Sequence, residues 1–320
     1  MHRFPGALAG PTNESRPFSV SVGPAPAHSE TGDREGAMWI SRMLAVWLVL
    51  ITVSGTAGAQ SAKAAFGAAD RPSGDEAAAY GSYARGCIAG AVALAGAGAG
   101  WQTMRPSRNR AWGHPDLIAF VERLGERARA LGWPRLLIGD LSQPRGGPMT
   151  FGHRSHQIGL DADIWFRQPP AKPLDRAARE KLAMVSMVAP GGTRVTAAFR
   201  NAHIGILRAA ATDEDVARIF VNAAIKGELC RRLPPDDRAW LRKIRPWWGH
   251  DGHFHVRLAC PVGSRSCIDQ APPPPGDGCG DLAWWFSDEA LNPRPRSPSK
   301  PRGELTLGDL PAACRALLGR

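Results

Sequence analysis

Two short stretches of the chain alternate strictly between apolar and polar positions. "GLDADIWF", 159–166, is one of them, and a period of two predicts a strand whose successive side chains face opposite ways. Leu160, Ala162, Ile164 and Phe166 then point into a core, while Asp161, Asp163 and Trp165 share the other face. "HFHVRLAC", 253–260, repeats the pattern, with Phe254, Val256 and Leu258 inward and His253, His255 and Arg257 opposite. The polar positions fall as they would if both strands lined one cleft. A helical period appears in "HPDLIAFVERLGERARALGW", where Leu117, Val121, Leu124, Ala128 and Leu131 recur at three and four. Pro115 suits its first position and Gly132 its stop. Short strands are expected at 134–140 and 217–222, helices at 174–188, 196–211 and 223–232, and a turn at "QPRGGPM".

The pattern also divides the chain. From Met38 one Arg precedes an apolar run, Met43 to Val53, and then Ala57-Gly58-Ala59. This is the arrangement of a signal peptide with an A-x-A cleavage site, its apolar run short for a membrane span. Residues 1–59 are therefore expected to be a leader, 1–37 an extension ahead of a signal peptide at about 38–59, and the mature protein to lie in the periplasm with no integral span. Residues 60–86, rich in Ala, Gly and Ser, suggest a flexible lead into a domain at 87–320. That domain includes a Pro-rich basic segment at about 287–304. Without an internal repeat or heptad run, one α+β domain of roughly 230 residues accounts for the rest: a central antiparallel sheet carrying the polar faces, with flanking helices.

Composition adds a sign and a compartment. Lys and Arg number 40 against 29 Asp and Glu, a net charge of +11, and the leader contributes none of the excess. Such a balance suits a polyanion: nucleic acid, an anionic membrane face or an acidic cell-wall polymer. Clustered Lys and Arg interleaved with aromatics are absent, which with export argues against nucleic acid. The six cysteines, Cys87, Cys230, Cys260, Cys267, Cys279 and Cys314, all follow the leader. An even count in an exported chain reads as three disulfides, with 15 pairings open.

Five of the nine histidines, His153, His156, His250, His253 and His255, crowd the two alternating stretches and the loops beside them. Zn²⁺ takes imidazole nitrogen and carboxylate oxygen, and a catalytic site keeps three protein ligands and one open position. His156, Asp163 and one of His253 or His255 supply such a set if the "QIGL" turn reverses the chain. Water at that ion is a usable nucleophile at neutral pH, and the remaining histidine could move its proton. No H-E-x-x-H, G-x-S-x-G or Walker motif offers other chemistry.

His156 with Asp163 seven later, then His253-Phe254-His255, resembles the H-x(6)-D and H-x-H pattern of the lysostaphin, D-Ala-D-Ala peptidase and hedgehog zinc-fold group. Within that group "GHPDLIAFVERL", "LIGDLSQPRGG", "SHQIGLDADIW" and "DRAWLRKIRPWWGHDGHFHVRLACP" are similar to the penicillin-insensitive murein endopeptidases, from about Cys87 to Leu318. The resemblance implies a zinc held by His156, Asp163 and His255, catalytic roles for His253 and His250, and a place for His153 in metal binding or beside the site. It implies disulfides Cys87 with Cys314, Cys230 with Cys279 and Cys260 with Cys267. It also implies peptidoglycan as partner and cleavage of the D-alanyl to meso-diaminopimelyl crosslink. Relatives with a second, interfacial zinc carry Asp and His where this chain has Pro190 and Thr193. Neither is a normal zinc ligand, so one ion is expected, and the oligomeric state is left open. The alternatives are a D-Ala-D-Ala carboxypeptidase or dipeptidase of the same fold, and a wall-binding module that keeps the zinc fold without turnover.

Overall fold

The computed structural model describes residues 60–293 and 304–319. The expected leader, most of the Pro-rich basic segment and Arg320 lie outside the described residues. In chain order come α1 (Ala62–Gly67), β1 (Ala78–Ser82), β2 (Arg85–Ala89), β3 (Val92–Ala93), β4 (Trp101–Thr103), β5 (Trp112–Gly113) and α2 (Pro115–Ala130). Then follow β6 (Leu136–Ile138), β7 (Asp161–Trp165), α3 (Arg176–Lys181), α4 (Asn201–Ala211), β8 (Val216–Val221) and α5 (Ala223–Arg232). The last are β9 (Ile244–Pro246), β10 (His253–Leu258), α6 (Asp288–Leu291) and α7 (Ala312–Leu318).

Six strands make the central sheet, in the order β4-β6-β7-β10-β8-β9. Its middle, β6 to β8, is antiparallel as expected, but β4 with β6 and β8 with β9 pair parallel, so the sheet is mixed. A parallel neighbour requires a crossover, and α2 and α5 are those crossovers. Alternation in sequence fixes faces and says nothing of strand direction. The inward residues of β7 and β10 are all but inaccessible, at 0–1% exposure, and meet Leu117, Phe120, Val121 and Leu124 of α2 and Ile206 and Leu207 of α4. A Cβ on Gly100 would come within 2.4 Å of the Gly125 backbone, so only glycine there lets α2 lie this close to the chain entering β4.

Three expectations change. Residues 60–86 carry α1, β1 and the start of β2, with Ala62 N–H donating to Leu305 O (2.9 Å) and Leu307 N–H to Gln60 O (3.1 Å). The Ala-rich composition hid Phe66, which packs fully buried against Cys87, Cys314, Leu310 and Leu317. The helix expected over 174–188 stops at Lys181, because the chain beyond bonds elsewhere: Met187 N–H donates to Asp251 O (2.8 Å) and Val188 bridges Val195. The helix expected from 196 starts at Asn201, where the Arg200 N–H donates to His203 Nδ1 at 2.9 Å.

All three disulfides form in the implied pairs, Cys87–Cys314, Cys230–Cys279 and Cys260–Cys267. Beside the second, Lys226 of α5 is fully buried and donates to the carbonyls of Leu241 (2.8 Å) and Asp277. Burial, with Arg245 nearby, pushes its pKa down to about 7. The unfolded lysine keeps its proton to about pH 10.4, so between these values the unfolded state binds more protons and stability rises with pH. Chemical denaturation from pH 7 to 10 should show this rise in the wild type and a flatter profile in Lys226→Met; parallel profiles would refute the assignment.

Candidate metal centre and active site

β7 and β10 are neighbours whose register sets Asp163 opposite His255 and Asp161 opposite Arg257. Both pairs occupy the face turned away from the α2 side of the core. Trp165, on the same face, is closed off with Met104 and Leu137 and covered by Arg105, so the cleft ends there. His156 reaches the strands because the loop before β7 folds back sharply, with φ of 67° at His156 and 70° at Gly159. The His156 N–H donates to Asp161 Oδ2 (2.8 Å), which holds a left-handed conformation that a residue with a Cβ seldom adopts.

Three ligand atoms now face one another. His156 Nε2 is 3.2 Å from His255 Nδ1 and 3.4 Å from Asp163 Oδ1, and the latter two are 3.1 Å apart. Four ligands at zinc distances of about 2.0–2.1 Å stand roughly 3.3 Å from each other in a tetrahedron, so the triangle has the size of one tetrahedral face. The protonation pattern fits as well. His156 Nδ1 lies 2.6 Å from Leu141 O, which can only accept, so Nδ1 carries the hydrogen and the Nε2 lone pair faces inward. His255 turns Nε2 to Asp161 Oδ1, 3.0 Å away, which favours the proton there and frees Nδ1. Asp163 Oδ1 is buried without a hydrogen bond. Three acceptors aimed at one point repel unless a cation sits between them, and the donor set suits zinc.

The surroundings hold this arrangement. Arg257 donates to both oxygens of Asp161 (2.8 and 3.2 Å), and Asp161 in turn orients His255. Against the burial that would raise them, Arg257 and His255 hold the Asp161 carboxyl, and His253 and His156 the Asp163 carboxyl, well below the usual range. His153 Nε2 lies 3.2 Å from Asp140 Oδ2 and 3.4 Å from Asp163 Oδ2. It could join His156 and Asp163 around an ion, but its ring nitrogen is engaged by Asp140, and we assign it to supporting Asp163. Asp140 is itself gripped by Arg110 (2.9 Å) and Arg108 (3.1 Å), which with His153 outweigh burial and bring its pKa to about 2.

His253 and His250 sit beside the triangle. His253 Nε2 is 3.5 Å from Asp163 Oδ1, and the His250 ring lies 4.9 Å from that of His253, centroid to centroid. His250, at φ 51°, donates from Nδ1 to Trp248 O (2.9 Å), leaving Nε2 as an acceptor. Burial lowers the pKa of both, that of His250 to about 4 with help from His253 and His255, so both rings are neutral at pH 7.

All six residues singled out by sequence thus converge. What the sequence left without a role is the support: Asp161, Arg257, Asp140 and the Leu141 carbonyl. Asp161 had a signal, since it shares the face of Asp163, but only pairing with β10 shows what it touches. Replacing Asp161 with Asn keeps the shape and removes the charge that fixes His255. Zinc affinity should fall by about 10- to 100-fold with the protein still folded, read by competition with a chelating dye; unchanged affinity would remove Asp161 from the site.

Comparison with known proteins is consistent with this geometry. The family model described as penicillin-insensitive murein endopeptidase matches residues 79–319. Proteins of that name from Haemophilus influenzae, Yersinia enterocolitica and Klebsiella pneumoniae are 48%, 44% and 43% identical to this chain over 225, 242 and 250 residues. These alignments cover 69%, 75% and 78% of this chain and 77%, 85% and 88% of the relatives. A match this extensive, spanning the strands that carry the donor triangle, means that the chain belongs to the penicillin-insensitive murein endopeptidase family.

Proposed function

We propose that this protein is an exported, zinc-dependent murein endopeptidase of the periplasm that hydrolyses the D-alanyl to meso-diaminopimelyl crosslink of peptidoglycan. The observation that carries the reading is the triangle of His156 Nε2, His255 Nδ1 and Asp163 Oδ1, its edges 3.1–3.4 Å, with two neutral histidines at its side. These three residues would hold the ion, which when bound supplies Lewis-acid polarisation of a carbonyl and activation of water at neutral pH. His253, neutral and directed through Nε2 at the Asp163 corner, can take a proton there and return it to the leaving amine. His250 borders His253, and its free Nε2 can accept a hydrogen bond from the protonated partner or from substrate. Asp161 and Asp140 keep the histidines oriented. No serine or cysteine nucleophile takes part, so a β-lactam has no group to acylate.

Digestion of purified crosslinked muropeptide dimers, followed by mass spectrometry, tests the reading. Dimers should become monomers with zinc present, and a His255→Ala variant and chelated wild type should be inert. Release of terminal D-alanine from intact dimers would instead establish the carboxypeptidase alternative, and zinc binding without turnover the wall-binding one.

A further inference from the structure

On the site face of the sheet, the row holding Asp163 and His255 continues to Phe220 of β8 and Arg245 of β9. The adjacent row runs Asp161, Arg257, Arg218. Side chains in such rows stand side by side, which puts Arg245 two strand spacings, about 10 Å, from the ligand His255. The two rows wall a cavity of about 400 Å³ that opens beside His250 and His255, to which the loop before β7 adds Arg154. Four arginines line this cavity and no carboxylate does. Arg257 is paired with Asp161, but among the described residues Arg154, Arg218 and Arg245 form no salt bridge. Arg218 spends one donor on the Ala271 carbonyl.

Holding these charges together is costly. Burial, then Arg257 and Arg245, lower the Arg218 pKa. Phe220 and Trp247 form an apolar wall that thins the water around the guanidinium groups, so an anion placed there would be bound more strongly than in open solvent. A guanidinium fork matches a carboxylate in two parallel hydrogen bonds. The diaminopimelyl side of the proposed crosslink bears a free carboxylate on the carbon next to the scissile nitrogen, within arginine reach of a bond cleaved at the triangle.

We infer that this cavity is the subsite for a free carboxylate beside the scissile bond, and that Arg218 and Arg245 make the enzyme prefer carboxylate to carboxamide at that position. The inference rests on the endopeptidase reading. Two matched dimers, differing only in whether that carboxyl is free or amidated, test it kinetically. The wild type should cleave the free acid with kcat/KM roughly tenfold to a hundredfold higher, the difference lying in KM, as expected for hydrogen bonds between charged groups. Arg245→Gln and Arg218→Gln should lose most of that preference while cleaving the amidated dimer with kcat within about twofold of wild type. Arg245→Lys, which keeps the charge without the fork, should retain part of it. A wild type indifferent to amidation, or Gln variants with the wild-type ratio, would overturn the inference. Calorimetric titration with the corresponding uncleaved monomers separates the two readings. Weaker binding of the free acid by Arg245→Gln, with neither dimer cleaved by the wild type, would sink the endopeptidase reading and keep the subsite. Cleavage of both dimers with equal monomer affinities would do the reverse.

Discussion

Replacing Asp163 with Ala should abolish zinc binding and lower kcat/KM by about 10³-fold or more, the size expected when several kcal/mol of metal-supplied stabilisation is removed. The fold should survive. Asp163 Oδ1 makes no hydrogen bond, and His153, which lies against Oδ2, keeps its contact with Asp140, so in the metal-free protein few contacts are lost. Metal-free wild type and variant should therefore melt within a few degrees of each other. They should part when zinc is added: at about 1,000 times Kd a ligand specific for the folded state adds about 4 kcal/mol. For a domain of this size that is roughly 8–16 °C of melting temperature, seen in the wild type and absent from the variant. Zinc must also compete with protons for His255, whose pKa is raised against the effect of burial by the Asp161 and Asp163 carboxylates, so the wild-type shift should shrink as pH falls. An equal zinc shift in the Asp163→Ala protein would move the centre away from this triangle.

Removing the Cys87–Cys314 disulfide should be the most damaging change to stability that leaves the site chemically intact. It closes a loop of sequence separation 227, tying β2 to α7 and so the beginning of the described chain to its end. On the chain-entropy account such a loop restrains the unfolded state by about 5 kcal/mol, against about 2 kcal/mol for the separation of 7 between Cys260 and Cys267. Cys87→Ala/Cys314→Ala should therefore melt roughly 10–20 °C lower, and Cys260→Ala/Cys267→Ala less than half as far. Below the transition the first variant should bind zinc as tightly as wild type, because neither cysteine touches the ligands or their supporting carboxylates. Zinc affinity that falls together with stability would mean that the terminal cluster around Phe66 and Leu317 sets the geometry of the site.

Much of the site was legible because strand alternation is local. "GLDADIWF" and "HFHVRLAC" assign each side chain to a face without reference to the rest of the chain, and every inward residue so assigned lies in the core. The α2 helix was legible for the same reason, since its period and its Pro115 act within one element. The choice between His253 and His255 as ligand was not decided by alternation, because both share a face. The resemblance to the family named His255; the register opposite Asp163 and the Asp161 contact supply its physical basis.

By itself, then, the sequence determined which residues could meet: the two polar strand faces, the helices with a clear period, and a histidine loop flexible enough to turn back. Tertiary structure decided what depends on residues far apart in the chain. The parallel outer strands follow from crossovers by α2 and α5. The ordering of 60–86 follows from Phe66 meeting the C-terminal helix, and the end of α3 from backbone bonds to the 251 loop. The arginine-lined cavity exists only because β8 and β9 extend the rows that begin at Asp161 and Asp163. Periodicity is written residue by residue, whereas register and strand direction are set by contacts across the fold.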